Sequence, residues 1–259
     1  MLNYVGHSLC GHDELSQTSA KKRKHLPSPH HSTSTDIGML NEQPLHAALK
    51  AYYATNDAAR EVDVDGYVVD VVQDDLLVEI QTSNFSSIKS KVISLAQRHP
   101  LRLVYPIPRE KWLIKLPKKK GGRTKRRKSP KHGRVEEVFK ELVSFPDLLC
   151  REAFSVEVVF THEEEVRRHD PTRWRNRGWV TVERRLLDVV DRQLIQRPCD
   201  ALSLLPKTLP EEFTTADMAE AMDGPRYLAQ KMAYCLRKMG AITQIGKRGR
   251  SNLYITADA

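Results

Sequence analysis

The sequence predicts an α/β protein. It reads as a mixed sheet flanked by helices over residues 40–200, a smaller helical unit with a β-hairpin over 201–259, and an unstructured tail over 1–39. Three observations lead there. From Leu40 the apolar spacing runs helix, three strands, helix, strand, an order that places a sheet between helices. The last fifty or so residues read helix, turn, helix and hairpin. Nearly all the excess positive charge sits in one block, which leaves the remainder neutral enough to fold around a core. At 259 residues the chain has room for one or two domains.

Within residues 1–39, KKRKHLPSPHHSTSTDIG is rich in Ser, Thr, Pro and His, almost without apolar residues and without a period. His30 and His31 there offer no more than a weak metal site. Leu45, Leu49, Tyr52 and Tyr53 fall at helical spacing in NEQPLHAALKAYYA, with Pro44 suited to a first turn. REVDVDGYVVDVV and LLVEIQT follow as strands punctuated by Gly66 and Asp74-Asp75. SSIKSKVISLAQ is a second helix with Ser86 or Ser87 as its cap, LRLVYPI a strand and KWLIKL another. Further on, VEEVFKELVSFPDLL reads as one amphipathic helix, FSVEVVFT as a strand and HEEEVRRHDPTRWRNRG as an exposed charged stretch. ERRLLDVVDRQLI reads as a helix carrying Leu186, Leu187, Val190 and Leu194 on one face. FTTADMAEAM is a short helix capped by Thr214 or Thr215. Asp223-Gly224 makes a turn, Pro225 opens a helix that Gly240 ends, and AITQI pairs with NLYIT around the tip GKRGRS.

The formal net charge is +9, yet KKKGGRTKRRKSPKHGR, residues 118–134, holds ten Lys/Arg and no acid, so the rest of the chain carries −1. Such a block attracts polyanions by counterion release. Lys118, Lys119, Lys120, Arg123, Lys125, Arg126, Arg127 and Lys128 are therefore candidate nucleic-acid contacts. Cys10, Cys150, Cys199 and Cys235 lie far apart with no CxxC pair, against a zinc ribbon or a disulfide scaffold. No apolar run reaches membrane-spanning length and no signal-peptide core is present, so a cytoplasmic protein is the expectation. Walker and GxGxxG loops are absent. Trp174 and Trp179 flank the Arg-rich turn RWRNRGW, where stacking on bases competes with ordinary packing.

Asp70 closes one apolar strand, and Glu79 and Gln81 flank Ile80 on the next. Residues two apart on a strand share a face, so Glu79 and Gln81 project together while Val78 and Ile80 point to the other side. If the two strands are antiparallel neighbours, Asp70 lies across from Glu79. Two converging carboxylates are oxygen ligands suited to Mg2+ (or Mn2+), which lowers the pKa of a bound water and neutralises a phosphate.

Helix, Asp70, Glu79-Ile80-Gln81, helix and strand together resemble the PD-(D/E)XK (restriction endonuclease-like) nuclease superfamily over roughly Leu40 to Ile107. The resemblance implies Asp70 and Glu79 as metal ligands and a third catalytic position at Gln81. That position is usually lysine, which orients the attacking water. Glutamine brings no positive charge, so Lys89 and Lys91 on the following helix are candidates for a displaced lysine. Glu61 and Glu42 are available as a further acid.

The C-terminal order resembles a winged helix-turn-helix domain over about Leu209 to Thr256, and the whole chain looks like a bacterial family in which such a domain follows a nuclease-like one. In PRYLAQKMAYCLRKMG, Leu228, Met232, Cys235, Leu236 and Met239 form the buried stripe. Arg226, Gln230 and Lys231 would reach base edges, and Lys247, Arg248 and Arg250 at the hairpin tip would contact phosphates. The expectation is a DNA-binding protein, holding duplex, with a Mg2+-dependent nuclease core. The alternatives are a catalytically inactive nuclease-fold DNA-binding regulator or adaptor, and a protein-interaction module acting through the winged helix.

Overall fold

The computed structural model describes residues 43–54 and 58–257. The tail, His30, His31 and Glu42 lie outside the described residues. The chain opens with α1, Pro44–Tyr53, whose Leu45, Leu49 and Tyr53 are buried four residues apart while Tyr52 faces solvent. Three strands follow: β1 Ala59–Val64, β2 Tyr67–Gln73 and β3 Leu76–Ile80. They form antiparallel neighbours through the turns at Asp65-Gly66 and Asp74-Asp75, as the punctuation predicted.

Helix α2 covers only Lys89–Leu95. Ser86 and Ser87 do not cap it; they lie inside a preceding 3-10 turn, Phe85–Ile88, and Ser87 Oγ donates to Asn84 O at 2.8 Å. Strand β4, Leu101–Lys115, unites the two strands expected there into one. It runs parallel to β3 over its first four residues, and its prolines coincide with a register shift at Pro108/Glu110.

The basic block is not an unpaired loop. Its Lys125–Lys128 form β5, hydrogen-bonded antiparallel to the end of β4. Gly133 then seats against the β4 bulge, donating to Pro108 O at 2.9 Å, so close that a Cβ there would lie 2.5 Å from that oxygen.

The single amphipathic helix expected over 135–149 is broken into a 3-10 turn Val135–Val138, α3 Phe139–Leu142 and a second 3-10 turn Pro146–Cys150. Pro146 disfavours helical backbone at Phe145 and stops the run. Strand β6, Phe154–His169, continues through HEEEVRRH, which is therefore half-buried sheet rather than exposed coil.

The stretch expected as a helix is β7, Trp179–Ile195, antiparallel to β6. Three bulges each leave one β7 residue unpaired, Val182, Leu187 and Val190, and these are among the strand's solvent-facing apolar side chains. An extra residue at each bulge shifts the inside/outside phase, so the apolar positions fall three and four apart and imitate a helical stripe. The strand order is β1-β2-β3-β4-β6-β7, with β5 beside β4.

Helix α4, Pro198–Leu202, straddles the boundary expected at 200–201. Then come β8 Phe213–Thr214, α5 Thr215–Ala221, α6 Arg226–Lys238, β9 Ile242–Arg248 and β10 Ser251–Thr256. Thr214 caps α5 in a reciprocal capping box with Asp217. Gly240, at φ 74°, supplies the left-handed residue after α6.

Each face of the sheet carries its own core. Beneath α1, Leu45, Leu49 and Tyr53 meet Val71, Val78, Ile80, Val104 and Val159. On the other face Phe85, Leu95, Leu101, Phe139 and Phe154 pack in one continuous cluster with Met218, Leu228, Met232, Cys235 and Leu236. The expected stripe of α6 is the buried one, and the second core crosses residue 200 without a break.

Candidate functional site

Strands β2 and β3 pair only as far as Val71–Val78, and one step beyond, Asp70 faces the position of Glu79. There the ladder gives way to side chains. Asp70 Oδ2 accepts the Ile80 backbone N–H at 2.9 Å, standing in for a backbone partner. Opposite, Glu61 of β1 takes φ 52° and drops out of the ladder at the Asp70 position, with the β1–β2 register unchanged on either side. The result is a cleft edge where the acids are reached from both faces of the sheet.

From the α1 face come two residues the sequence reading missed. His46 Nε2 lies 3.2 Å from Asp70 Oδ2 and 3.0 Å from Ile80 O. Lys50 Nζ lies 2.6 Å from Glu61 Oε1 and 3.7 Å from Asp70 Oδ1. Their spacing of four on α1 places them on one helical face, the signal that could have found them.

From the α2 face Lys91 reaches Glu79 Oε2 at 2.6 Å and donates to Val68 O at 2.6 Å, clamping the gap between β2 and β3. Lys91 thus stands where a displaced lysine was sought. Lys89 does not: it lines a separate groove with Phe145, Tyr234 and Lys238. Gln81 also leaves the acids, its amide donating to Ser83 O at 2.6 Å and to Asn84 O at 3.2 Å.

The electrostatics separate the two carboxylates. Burial raises the Glu79 pKa, the Asp70 charge raises it further, and Lys91 offsets this only in part. For Asp70 burial pushes upward too, but His46, the Ile80 amide and Lys50 outweigh it and hold the group below its ordinary value. Neighbouring acids driven apart in this way are a recurring feature of sites that handle protons and cations.

The Asp70 and Glu79 carboxylates and the Ile80 carbonyl are hard oxygen donors of the kind Mg2+ takes. His46 Nε2 sits against two of them, so a cation would have to displace the ring. Among the described residues no group of three or more His, Cys, Asp or Glu side chains is clustered to hold a metal.

The basic residues divide by their partners. In the β5 segment Arg126 pairs with Glu164 at 2.9 Å and Lys128 with Glu110 at 2.6 Å, while Lys118 lies over Trp179. Lys119, Lys120, Arg123, Lys125 and Arg127 are exposed and in no ion pair among the described residues. Along α6, Arg226, Gln230 and Arg237 join Arg250 and Asn252 of the hairpin in one groove whose lining has no carboxylate. Lys231 is turned inward and donates to Lys140 O at 2.9 Å. Arg248 is paired with Asp217 at 3.2 Å, and Lys247 is exposed. Cys235 is a packing residue, its thiol pushed up by burial to about 12.

Fold and site together define an α/β protein with an acidic pair at the parting of two strands and a basic C-terminal groove. The chain belongs to the family described as Domain of unknown function (DUF8091), whose model matches residues 43–196, from α1 to the end of β7. It is 32% identical over 222 residues to a protein of Treponema pallidum (strain Nichols) described as "Uncharacterized protein", spanning 84% of this chain and 86% of that one. No solved structure matches the chain. No helix among the described residues is long and apolar enough to cross a membrane.

Proposed function

We propose that this protein binds DNA through the α6 groove and the β5 segment and cleaves phosphodiester bonds at Asp70, Glu79 and Lys91 with a divalent cation. In this reading the core is a PD-(D/E)XK-type fold and the C-terminal unit a winged helix. The observation that carries it is the Lys91–Glu79 pair at 2.6 Å, which returns to the site the ammonium that Gln81 cannot supply. The cation would be held by Asp70 and Glu79 and would supply charge neutralisation at the phosphate. Lys91 offsets part of what burial does to Glu79 and sets a positive charge beside the scissile group. Arg226, Arg237 and Arg250 take backbone phosphates, since their groove offers no competing acid.

The test is incubation of the full chain with supercoiled and linear DNA in Mg2+ or Mn2+ and in EDTA. Metal-dependent cutting is expected, lost in Asp70→Ala and Glu79→Ala and reduced in Lys91→Gln, with DNA affinity nearly intact in all three. Cutting unaffected by Asp70→Ala would place the chemistry elsewhere. A second reading, a non-cleaving DNA-binding regulator on the same fold, is favoured by Gln81 turning into the 83–87 turn and by His46 resting on the donor oxygens. Binding without cutting in any metal is its outcome.

A further inference from the structure

The hairpin joining β6 and β7 ends in a tip, residues 170–178, that the fold has built with care and then left uncovered. Asp170 N donates to Gly178 O at 2.7 Å and closes the base of the tip. Asp170 Oδ1 accepts both the N–H and the Oγ1 of Thr172, at 3.0 and 2.6 Å. Gly178, at φ 79°, admits no side chain, because a Cβ would lie 2.9 Å from Asp170 O. On this ordered support Trp174 stands 83% exposed.

The other two tryptophans are used internally. Trp112 packs edge-on to His162 under the Arg126 guanidinium, and Trp179 packs on His169 with Lys115 over its ring at 4.5 Å. Among the described residues Trp174 touches no core cluster, and the one charged neighbour in ring contact is Arg175, 5.2 Å from the ring centroid. Leaving so large an apolar ring in water is unfavourable unless a partner covers it. Arg173, Arg175 and Arg177 share the tip with it, all exposed, and the one acid of the tip, Asp170, holds the turn and lies 4.0 Å from Arg173 Nε.

The tip also adjoins the basic segment. Asn176 lines the same cleft as Arg127 and Lys131, and Lys118 lies over Trp179 at the tip's base. A flexible anionic strand lying on the β5 segment would bring its bases within reach of the ring. We infer that Trp174 is a stacking platform for an unpaired base, with Arg173, Arg175 and Arg177 on the adjoining phosphates, so that the protein engages single-stranded DNA or a frayed end at this tip. This rests on the nucleic-acid reading above and adds to it a preference for unpaired substrate. Aromatic stacking tolerates any base, so the contact selects strandedness and not sequence.

The experiment measures binding of the full chain, Trp174→Ala and Trp174→Phe to a labelled oligothymidylate and to a blunt duplex at low salt, with tryptophan emission followed in parallel. Trp174→Ala is expected to weaken oligothymidylate binding about 5- to 100-fold and duplex binding far less. Trp174→Phe should restore most of the loss, since any aromatic face suffices. Oligothymidylate should quench the wild-type emission, and the quench should vanish with Trp174 while Trp112 and Trp179 remain. Unchanged oligothymidylate affinity in Trp174→Ala, an equal loss on both nucleic acids, or no rescue by Phe would overturn base stacking while leaving the DNA reading in place. A bound oligonucleotide that leaves Trp174 emission untouched would likewise overturn stacking at this tip. Failure to bind either nucleic acid would overturn the DNA reading itself.

Discussion

Two sets of acids lie in the same sheet and are held in different ways. On β6, Glu163 is fully buried, receives the Arg184 guanidinium through two nitrogens at 2.8 to 3.1 Å, and accepts from Thr161 Oγ1 at 2.6 Å. Two residues on, Glu165 is met by Arg167 at 2.7 Å, Thr181 at 2.6 Å and Lys111 at 3.0 Å. Burial alone would raise Glu165, but these partners outweigh it and hold the carboxyl at about 2. At the parting of β2 and β3, by contrast, Glu79 is raised and Asp70 lowered. The β6 acids are satisfied by cations and hydroxyls together, and their removal leaves a half-buried cation without its partner. The β2–β3 acids share Lys91 from α2 and Lys50 and His46 from α1, with Lys50 also drawn toward Glu61. Residue type does not separate the two sets; the partners that reach each carboxylate do.

The largest effect that would break this contrast is at Glu163. Glu163→Ala strands Arg184 in the sheet and is expected to cost about 3–5 kcal/mol, read by urea or thermal unfolding. A loss under about 1 kcal/mol would mean the β6 pair is no more structural than a surface one.

Next is acid. Because the folded Glu165 pKa of about 2 lies below its ordinary value near 4.5, its stabilisation is fully present above pH 4.5 and is lost as pH falls toward 2. The loss amounts to roughly 3 kcal/mol, and Glu165→Gln should remove that part of the acid dependence. An unchanged acid limb in the variant would contradict the assignment.

Smaller still is Asp70→Asn, which keeps an acceptor for the Ile80 amide and should cost about 1 kcal/mol by the same unfolding assay, far less than Glu163→Ala. The finest test follows the Glu79 carboxyl by NMR titration. Asp70→Asn should lower its pKa by removing a like charge, and Lys91→Gln should raise it by removing a cation. A shift of the wrong sign in either variant would show that the two acids are not neighbours in solution.

Much of this was legible in the residues. The run from α1 to the start of β4 follows directly from apolar spacing and from turn residues such as Gly66 and Asp74-Asp75. Thr214 as a cap, Gly240 as a stop and the α6 stripe are short-range features and stand as expected. Asp70 and Glu79 were found because two antiparallel strands with a two-residue turn can register in only a few ways. What escaped depends on distant partners. Arg184 is twenty-one residues from Glu163, so a segment rich in Glu and Arg looked like solvated surface. Bulges at Val182, Leu187 and Val190 disguised β7 as a helix. His46 and Lys50 gave only a spacing of four on a helix, with nothing in the sequence to say what that face would meet.

The family match and the core do not end together. The DUF8091 match ends at residue 196, whereas the hydrophobic cluster continues into α5 and α6. The seam is polar as well as apolar: Lys231 donates to Lys140 O, Arg134 to the carbonyls of Met222 and Asp223, and Cys150 to Met239 O. The matched segment is therefore not a unit that could be excised and expected to stay soluble. Cut after Ile195, it would bare the side of Phe139, Leu142 and Leu148 that the last helix now shields, and would expose a sticky surface. Any relative that carries only the matched segment must cover that surface with a different tail or with another chain.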